Sequence, residues 1–362
     1  MKRRFLVLLA LLFLFVITAC GGGEESSTDS DDSSNDTEDI NNNSSEETGT
    51  SSSEETIEFR LGHAVQGENH PYHMAAKHFA ELVDGKSNGE IQIEIFPGGQ
   101  LGGELDMLEM VQNGTLDGAL ISASIFSGST PVMDGLTIPF LFDNYTTFNE
   151  ALKTDVAQQM LDSLEELQLK GLGFNNAGMR HVGSNVAPVE TPDDFSDLKI
   201  RVMESPLMLD IFETLGANPT PMAYGELYSA LQTGVIDAHE TNLISFTDEN
   251  FHEVTEYISL LSIYPTPNIN IMNLATFNEL SEDHQQIIQE AGLETSSWIV
   301  EQMEEIDQEA LEELKNDLNK NINEIDDMQP FINKVQPVYE EYSSKHELIA
   351  EFISTVEEIK NQ

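Results

Sequence analysis

A single cysteine, Cys20, leaves the 362-residue chain without a partner for an internal disulfide. Cations are scarce as well: 16 Lys and Arg face 65 Asp and Glu, for a net charge of −49. Nucleic acid and anionic membrane patches are poor partners for so negative a surface. Catalytic signatures are equally thin. There is no G-x-S-x-G elbow for a nucleophilic serine, and GKS at 85–87 lacks the earlier glycine of a phosphate-binding loop. A calcium loop begun by Asp84, Asn88 and Gly89 fails at Lys86, where a ligand belongs, and at Ile95, where a bidentate Glu is required. Acid pairs are too common in this composition for any two carboxylates to mark a catalytic dyad. No covalent chemistry and no cofactor are expected.

What is present begins with an address. Lys2, Arg3 and Arg4 precede an apolar run from Phe5 to Val16, and Ile17, Thr18 and Ala19 lead to Cys20. The run is short for a membrane span and has the layout of a signal peptide over residues 1–19. The small residues before the cysteine resemble the lipobox of bacterial lipoproteins, in which cleavage leaves that cysteine acylated at the new N-terminus. The protein is then expected on the outer face of the bacterial cell membrane, held by the lipid on Cys20. Residues 21–56 carry almost nothing apolar and cannot bury enough surface to fold, so residues 20–56 read as a lipid-bearing cysteine and an acidic tether. Setting aside the leader's three positive and the tether's 12 negative charges leaves −40 on residues 57–362. So acidic a surface outside the cell points to a saline or alkaline habitat.

The remaining length allows two domains. Ile57 to Leu61 alternates as a first strand, Met74 to Val83 reads as a helix, and Ile91 to Phe96 is a second strand. Glu104 opens a helix that stops at Gly114, and Leu116 to Ile121 is the next strand. Ile138 to Phe142 is an apolar turn, Phe148 to Leu167 reads as one helix, and Gly171 to Asn175 as a strand. Tyr257 to Ile263 and Ile269 to Leu274 are further strands that let the chain return to its first half. From Ser281 onward the pattern is helical, with Ile299, Met303, Ile306, Ala310, Leu314 and Leu318 on one face, and Val335 to Ile359 adds more helix.

The stretch from Asp197 to Asn242 organises the second half. Lys199 to Met203 is a buried strand interrupted by Arg201. Ser205 and Pro206 open a helix that Gly216 closes, while Pro219 and Pro221 keep the following segment out of helix. Glu226 to Gln232 is helical up to Gly234, and Val235 to Ala238 reads as a strand. In open α/β sheets ligands sit beyond the carboxyl ends of the strands, where Arg201 and the cluster from His239 to Asn242 would lie. A buried Arg needs an anion, which is either a ligand or one of the chain's own carboxylates. Four histidines, His63, His70, His73 and His78, form a rival cluster with the density of a zinc site.

Five stretches in order and spacing are similar to the solute receptors of TRAP transporters, the DctP-like family: FPGGQLGGE at 96–104, NGTLDGAL at 113–120, IPFLF at 138–142, DLKIRV at 197–202 and PMAYGELYSALQTGVIDAHE at 221–240. The resemblance covers Ile57 to about Tyr342. It implies an α/β, two-lobed, periplasmic-binding-protein-like fold (type II-like) with crossing strands and a long helix spanning both lobes. The expected first lobe starts with 57–177, the second is mainly 178–263, and 264–362 holds a return strand, the spanning helix and C-terminal helices. The resemblance further implies that Arg201 pairs with a solute carboxylate, that Arg180 adds a second contact and that the Tyr224 ring packs on the solute. Glu104 and Ser122 match positions near the pocket in some members. Thr241 stands where sialic-acid receptors have an asparagine, which argues against that solute because a hydroxyl lacks an amide's paired donor and acceptor. The expected function is capture of a carboxylate-containing organic acid, a C4-dicarboxylate, sugar acid or related compound, for delivery to TRAP permease subunits. Two alternatives stay open: metal capture by the histidine cluster, and a surface enzyme acting on an acidic sugar.

Overall fold

The computed structural model describes residues 56–361. The expected signal peptide, the expected lipid-bearing Cys20 and residues 21–55 of the expected tether lie outside them. Eleven strands follow in chain order: β1 (Ile57–Gly62), β2 (Ile91–Phe96), β3 (Gly118–Ser122), β4 (Leu169–Met179), β5 (His181–Ser184), β6 (Lys199–Val202), β7 (Asn218–Pro221), β8 (Ala238–Thr241), β9 (Tyr257–Leu260), β10 (Pro265–Asn273) and β11 (Asn321–Glu324). They form two sheets, ordered β2-β1-β3-β10-β4 and β11-β9-β5-β8-β6-β7. The principal helices are α1 (Pro71–Lys86), α2 (Glu104–Gln112), α3 (Tyr145–Leu152), α4 (Asp155–Asp162), α5 (Pro206–Leu215), α6 (Leu227–Thr233), α7 (Leu243–Asp248), α8 (Leu274–Glu279), α9 (Glu282–Glu312), α10 (Gln329–Ser343) and α11 (Glu347–Lys360).

The chain passes between the sheets twice. β4 leaves the first sheet at Met179 and β5 enters the second at His181, with Arg180 between them. The return runs from β9 to β10. The two crossings bind each other at Arg180, whose N–H donates to the Tyr264 carbonyl (2.9 Å) and whose carbonyl accepts from the Ile263 N–H (3.0 Å). Helix α9, 31 residues long, joins the lobes as well: Ile288, Ala291 and Ile299 sit in the core beside the first sheet, and Ala310 in the core of the second.

Local chemistry explains most element ends. The Ser205 hydroxyl accepts from the Met208 N–H, Pro206 occupies the first turn of α5, and Gly216 ends it in the left-handed region at φ 108°. Three readings needed tertiary correction. The segment expected as one helix over 148–167 is broken at Lys153 and Thr154, whose hydroxyl caps α4 instead. The reading that Pro219 and Pro221 keep their segment out of helix holds: both lie in strand β7, which an edge position permits because no neighbour requires their missing N–H groups. The strand expected at Val235–Ala238 starts only at Ala238, for Val235 is an exposed residue of the turn after Gly234. The long C-terminal helical pattern is interrupted by β11, which pairs parallel with β9.

Candidate functional site

The carboxyl ends of β1, β3 and β4 in one sheet, and of β6, β7 and β8 in the other, meet around a cavity of about 30 Å³, room for one or two waters. Its wall takes Ala64, Val65 and His70 from the segment after β1, Tyr72 from the start of α1, Glu104 from the start of α2, Arg180 from the first crossing and Thr266 from the start of β10. Arg201, Met203, Tyr224, Asn242 and Ser245 close it from the second lobe.

The two arginines have different partners. Arg180 donates through Nε to the Glu240 carboxylate and through Nη2 to the Glu240 carbonyl at 2.6 Å, and both side chains are buried. Burial works against its charge, but the Glu240 carboxylate outweighs this and holds the guanidinium above its ordinary value. Arg201 reaches only a neutral acceptor. Its Nε and Nη2 both donate to the Met222 carbonyl, at 2.9 and 2.6 Å, and its Nη1 is buried without a partner. Among the described residues no carboxylate lies within ion-pair distance of it. Burial holds this guanidinium below its usual value, partly offset by the Glu240 charge. Of the two anions open to a buried arginine, Arg180 takes one of the chain's own carboxylates, whereas Arg201 takes none.

Glu104, the first residue of α2, turns one carboxylate oxygen to the Ser122 N–H at 2.7 Å. Burial raises its pKa and that hydrogen bond partly restores it. Ser122 itself is not on the cavity wall; its hydroxyl faces the Met203 sulfur at 3.5 Å, and its contribution is the N–H that aims Glu104. Thr241 is absent from the wall too. It is buried in β8 opposite His181, and the next residue, Asn242, faces the cavity in its place because successive side chains of a strand point to opposite faces.

Part of the wall is a hydrogen-bond network centred on Ser245. His70 caps α1, its Nδ1 accepting from the Tyr72 N–H, which leaves the proton on Nε2 to face the Ser245 hydroxyl at 3.3 Å. Burial keeps this imidazole neutral, with a pKa lowered to about 3. The Tyr224 hydroxyl donates to Ser245 at 2.9 Å, and Ser245 donates to the Asn242 side chain. With its hydroxyl committed, Tyr224 offers the cavity mainly its ring, which lies 5.9 Å from the Arg201 guanidinium carbon. Besides Arg201 Nη1, the Thr266 hydroxyl is a buried, unpartnered polar atom of the wall.

The model of the bacterial extracellular solute-binding proteins, family 7 (DctP), matches residues 61–345. The chain belongs to this family. The C4-dicarboxylate-binding protein DctB of Bacillus subtilis is 31% identical over 304 residues, 83% of this chain and 87% of DctB. A TRAP periplasmic solute-binding protein of Chromohalobacter salexigens, solved with bound D-glucuronate, superposes with a TM-score of 0.78 at 30% identity, covering 83% of this chain and 99% of that one. The sugar acid binding protein DctPAm of Advenella mimigardefordensis, in complex with galactonate, gives a TM-score of 0.80 at 26% identity over 84% of this chain and 99% of its own. Family members are solute receptors of two-lobed fold, and the cavity here lies between the lobes.

His70, Tyr72, Met203, Ser245 and Thr266 were not read from the sequence as solute-site residues, and Asn242 only as the last member of the cluster that begins at His239. His70 and Asn242 carried a signal, as helix caps before Pro71 and Leu243, but local pattern does not say which caps face a cleft. Of the remaining three histidines of the 63–78 cluster two stay together and one turns away. His63 and His73 face each other at 3.1 Å and His78 stacks on Trp298 with ring centroids 4.2 Å apart. Among the described residues no three His, Cys, Asp or Glu side chains converge as a metal-holding group.

Proposed function

We propose that this receptor captures a monocarboxylic sugar acid, with Arg201 as the carboxylate anchor. The observation that carries the reading is that Arg201 Nη1 is buried and unpartnered while Arg180 is already neutralised by Glu240. An anion is the group that best relieves such a nitrogen. A C4-dicarboxylate needs a second cation for its far end, and there it would meet Arg180 with its charge spent and the Glu104 carboxylate. A polyhydroxy chain suits that end better, because the Thr266 hydroxyl and the second Glu104 oxygen can both pair with hydroxyls. The Tyr224 ring packs on the carbon skeleton. The sugar acids bound in the DctPAm and C. salexigens structures support this choice over the dicarboxylate of DctB.

The ligand-binding set is Arg201, Tyr224, Glu104 and Thr266, with Arg180 and Ser122 holding the frame and Thr241 outside it. The receptor hands its solute to TRAP permease subunits in the membrane and performs no covalent chemistry. Cys20 carries the lipid anchor; labelled palmitate incorporated by the wild type and not by Cys20→Ala tests this. Calorimetry with D-glucuronate, D-galacturonate, galactonate, succinate and malate tests the solute class. Succinate or malate binding more tightly than every sugar acid would overturn the reading.

A further inference from the structure

Between β1 and α1 the segment 63–70 leaves the first lobe and lies against the end of α7 in the second. The Glu249 carboxylate accepts the main-chain N–H groups of Gln66 and Gly67 through one oxygen, each at 2.8 Å. Asp248 beside it accepts from the Asn69 side chain at 3.3 Å. The approach is so close that a Cβ on Gly67 would stand 1.7 Å from an Asp248 carboxylate oxygen, so only glycine lets Asp248 keep its place. Ala64 and Val65 of the same segment form cavity wall, and His70 closes it onto Ser245. On the far side of this contact lies an open chamber of about 360 Å³, which shares Ala64 and Tyr224 with the solute cavity and has Gln66 and Glu249 in its own wall.

We propose that Glu249 is the latch of the cleft: it clamps the Gln66–Gly67 main chain across the lobes and so sets how long a captured solute stays. The proposal rests on the solute reading of the cavity. An ionised carboxylate on two N–H groups is among the stronger hydrogen-bond arrangements. It ties the end of α7 to a segment that must separate from that helix when the lobes part, while Arg201 and Met222 stay together on the second lobe. The latch therefore acts on release, and entry into an open cleft does not involve it.

The test uses stopped-flow release of D-glucuronate, or of the panel member above that binds most tightly, from full-length protein. Glu249→Ala should release on the order of tenfold faster with association changed by less than about twofold, since two charge-assisted but partly exposed hydrogen bonds are lost. Glu249→Gln, which keeps an acceptor without the charge, should recover part of the loss, and Gly67→Ala should shift release in the same direction. Glu253→Gln removes the same charge nearby and should release as wild type. A solute-independent reading comes from hydrogen exchange of the Gln66 and Gly67 amides, which should lose protection in Glu249→Ala. Wild-type release from Glu249→Ala, or equal acceleration by Glu253→Gln, overturns the latch. If Arg201→Met binds solute as wild type does, the cavity reading fails instead, and the exchange measurement still decides whether the Glu249 contact forms.

Discussion

Arg201 places function and stability in opposition, and Arg201→Met separates them. In the unliganded protein the buried guanidinium has no counter-ion, a situation that costs about 3 to 5 kcal/mol when a buried pair is broken. The Met222 carbonyl, bonded by both Nε and Nη2, offsets about 1.5 to 3 kcal/mol of that. Methionine fills a similar volume without charge, so the unliganded variant should be more stable by about 1 to 2 kcal/mol, a rise of roughly 1.5 to 3 °C in melting temperature for a fold of this size. Solute affinity should fall at least about a hundredfold, because the carboxylate would enter the cavity without a partner. Arg201→Lys should not rescue it, since one ammonium cannot serve the Met222 carbonyl and the solute as the planar fork does. Differential scanning calorimetry without solute and titration calorimetry with it read the two quantities separately. A melting temperature several degrees below wild type would make Arg201 a structural residue, and affinity within a few-fold of wild type would remove it as the anchor.

Arg180→Met is the mirror case: it leaves the Glu240 carboxylate buried and unpaired, so the unliganded protein should lose about 3 to 5 kcal/mol in a urea titration. Acid should destabilise the fold through its neutral histidines. His63, His70, His181 and His239 are lowered by burial from 6.5 to about 3, so the stability they carry is complete above pH 6.5 and is lost as pH falls toward 3. Asp134 and Asp307, raised by burial from 3.8 to about 7, act in the opposite sense, favouring the folded state at low pH and losing that contribution between pH 4 and 7. Removing one of these opposing carboxyls should show directly: from pH 6.5 to 4 the urea midpoint should fall more steeply in Asp307→Asn than in wild type, and identical profiles would contradict the raised Asp307. With −40 on residues 57–362, association of an anionic solute should accelerate with sodium chloride up to molar concentration, because salt screens long-range repulsion before it weakens a buried contact. Stopped-flow association that slows steadily with salt would show a positive field at the cleft.

What the sequence determined by itself was chemistry acting over a few residues. Ser205, Pro206 and Gly216 bound α5 because caps and left-handed stops work within one turn, and Arg201 in the apolar run Lys199–Val202 marked a buried cation because strand alternation is local. The order of the FPGGQLGGE, DLKIRV and PMAYGELYSALQTGVIDAHE stretches carried the family and with it the two-lobed fold. The tertiary structure alone decided which charge is available. Arg180 and Arg201 look alike in sequence, and only the approach of Glu240, 60 positions from Arg180, spends one and leaves the other. The same holds for Thr241, whose neighbour Asn242 faces the cavity, and for the Glu249 contact that spans 182 residues to Gly67. Such pairings depend on how the sheets turn their carboxyl ends toward each other. Hydrophobic periodicity is blind to that arrangement, because it records which side of an element is buried and not what meets it there.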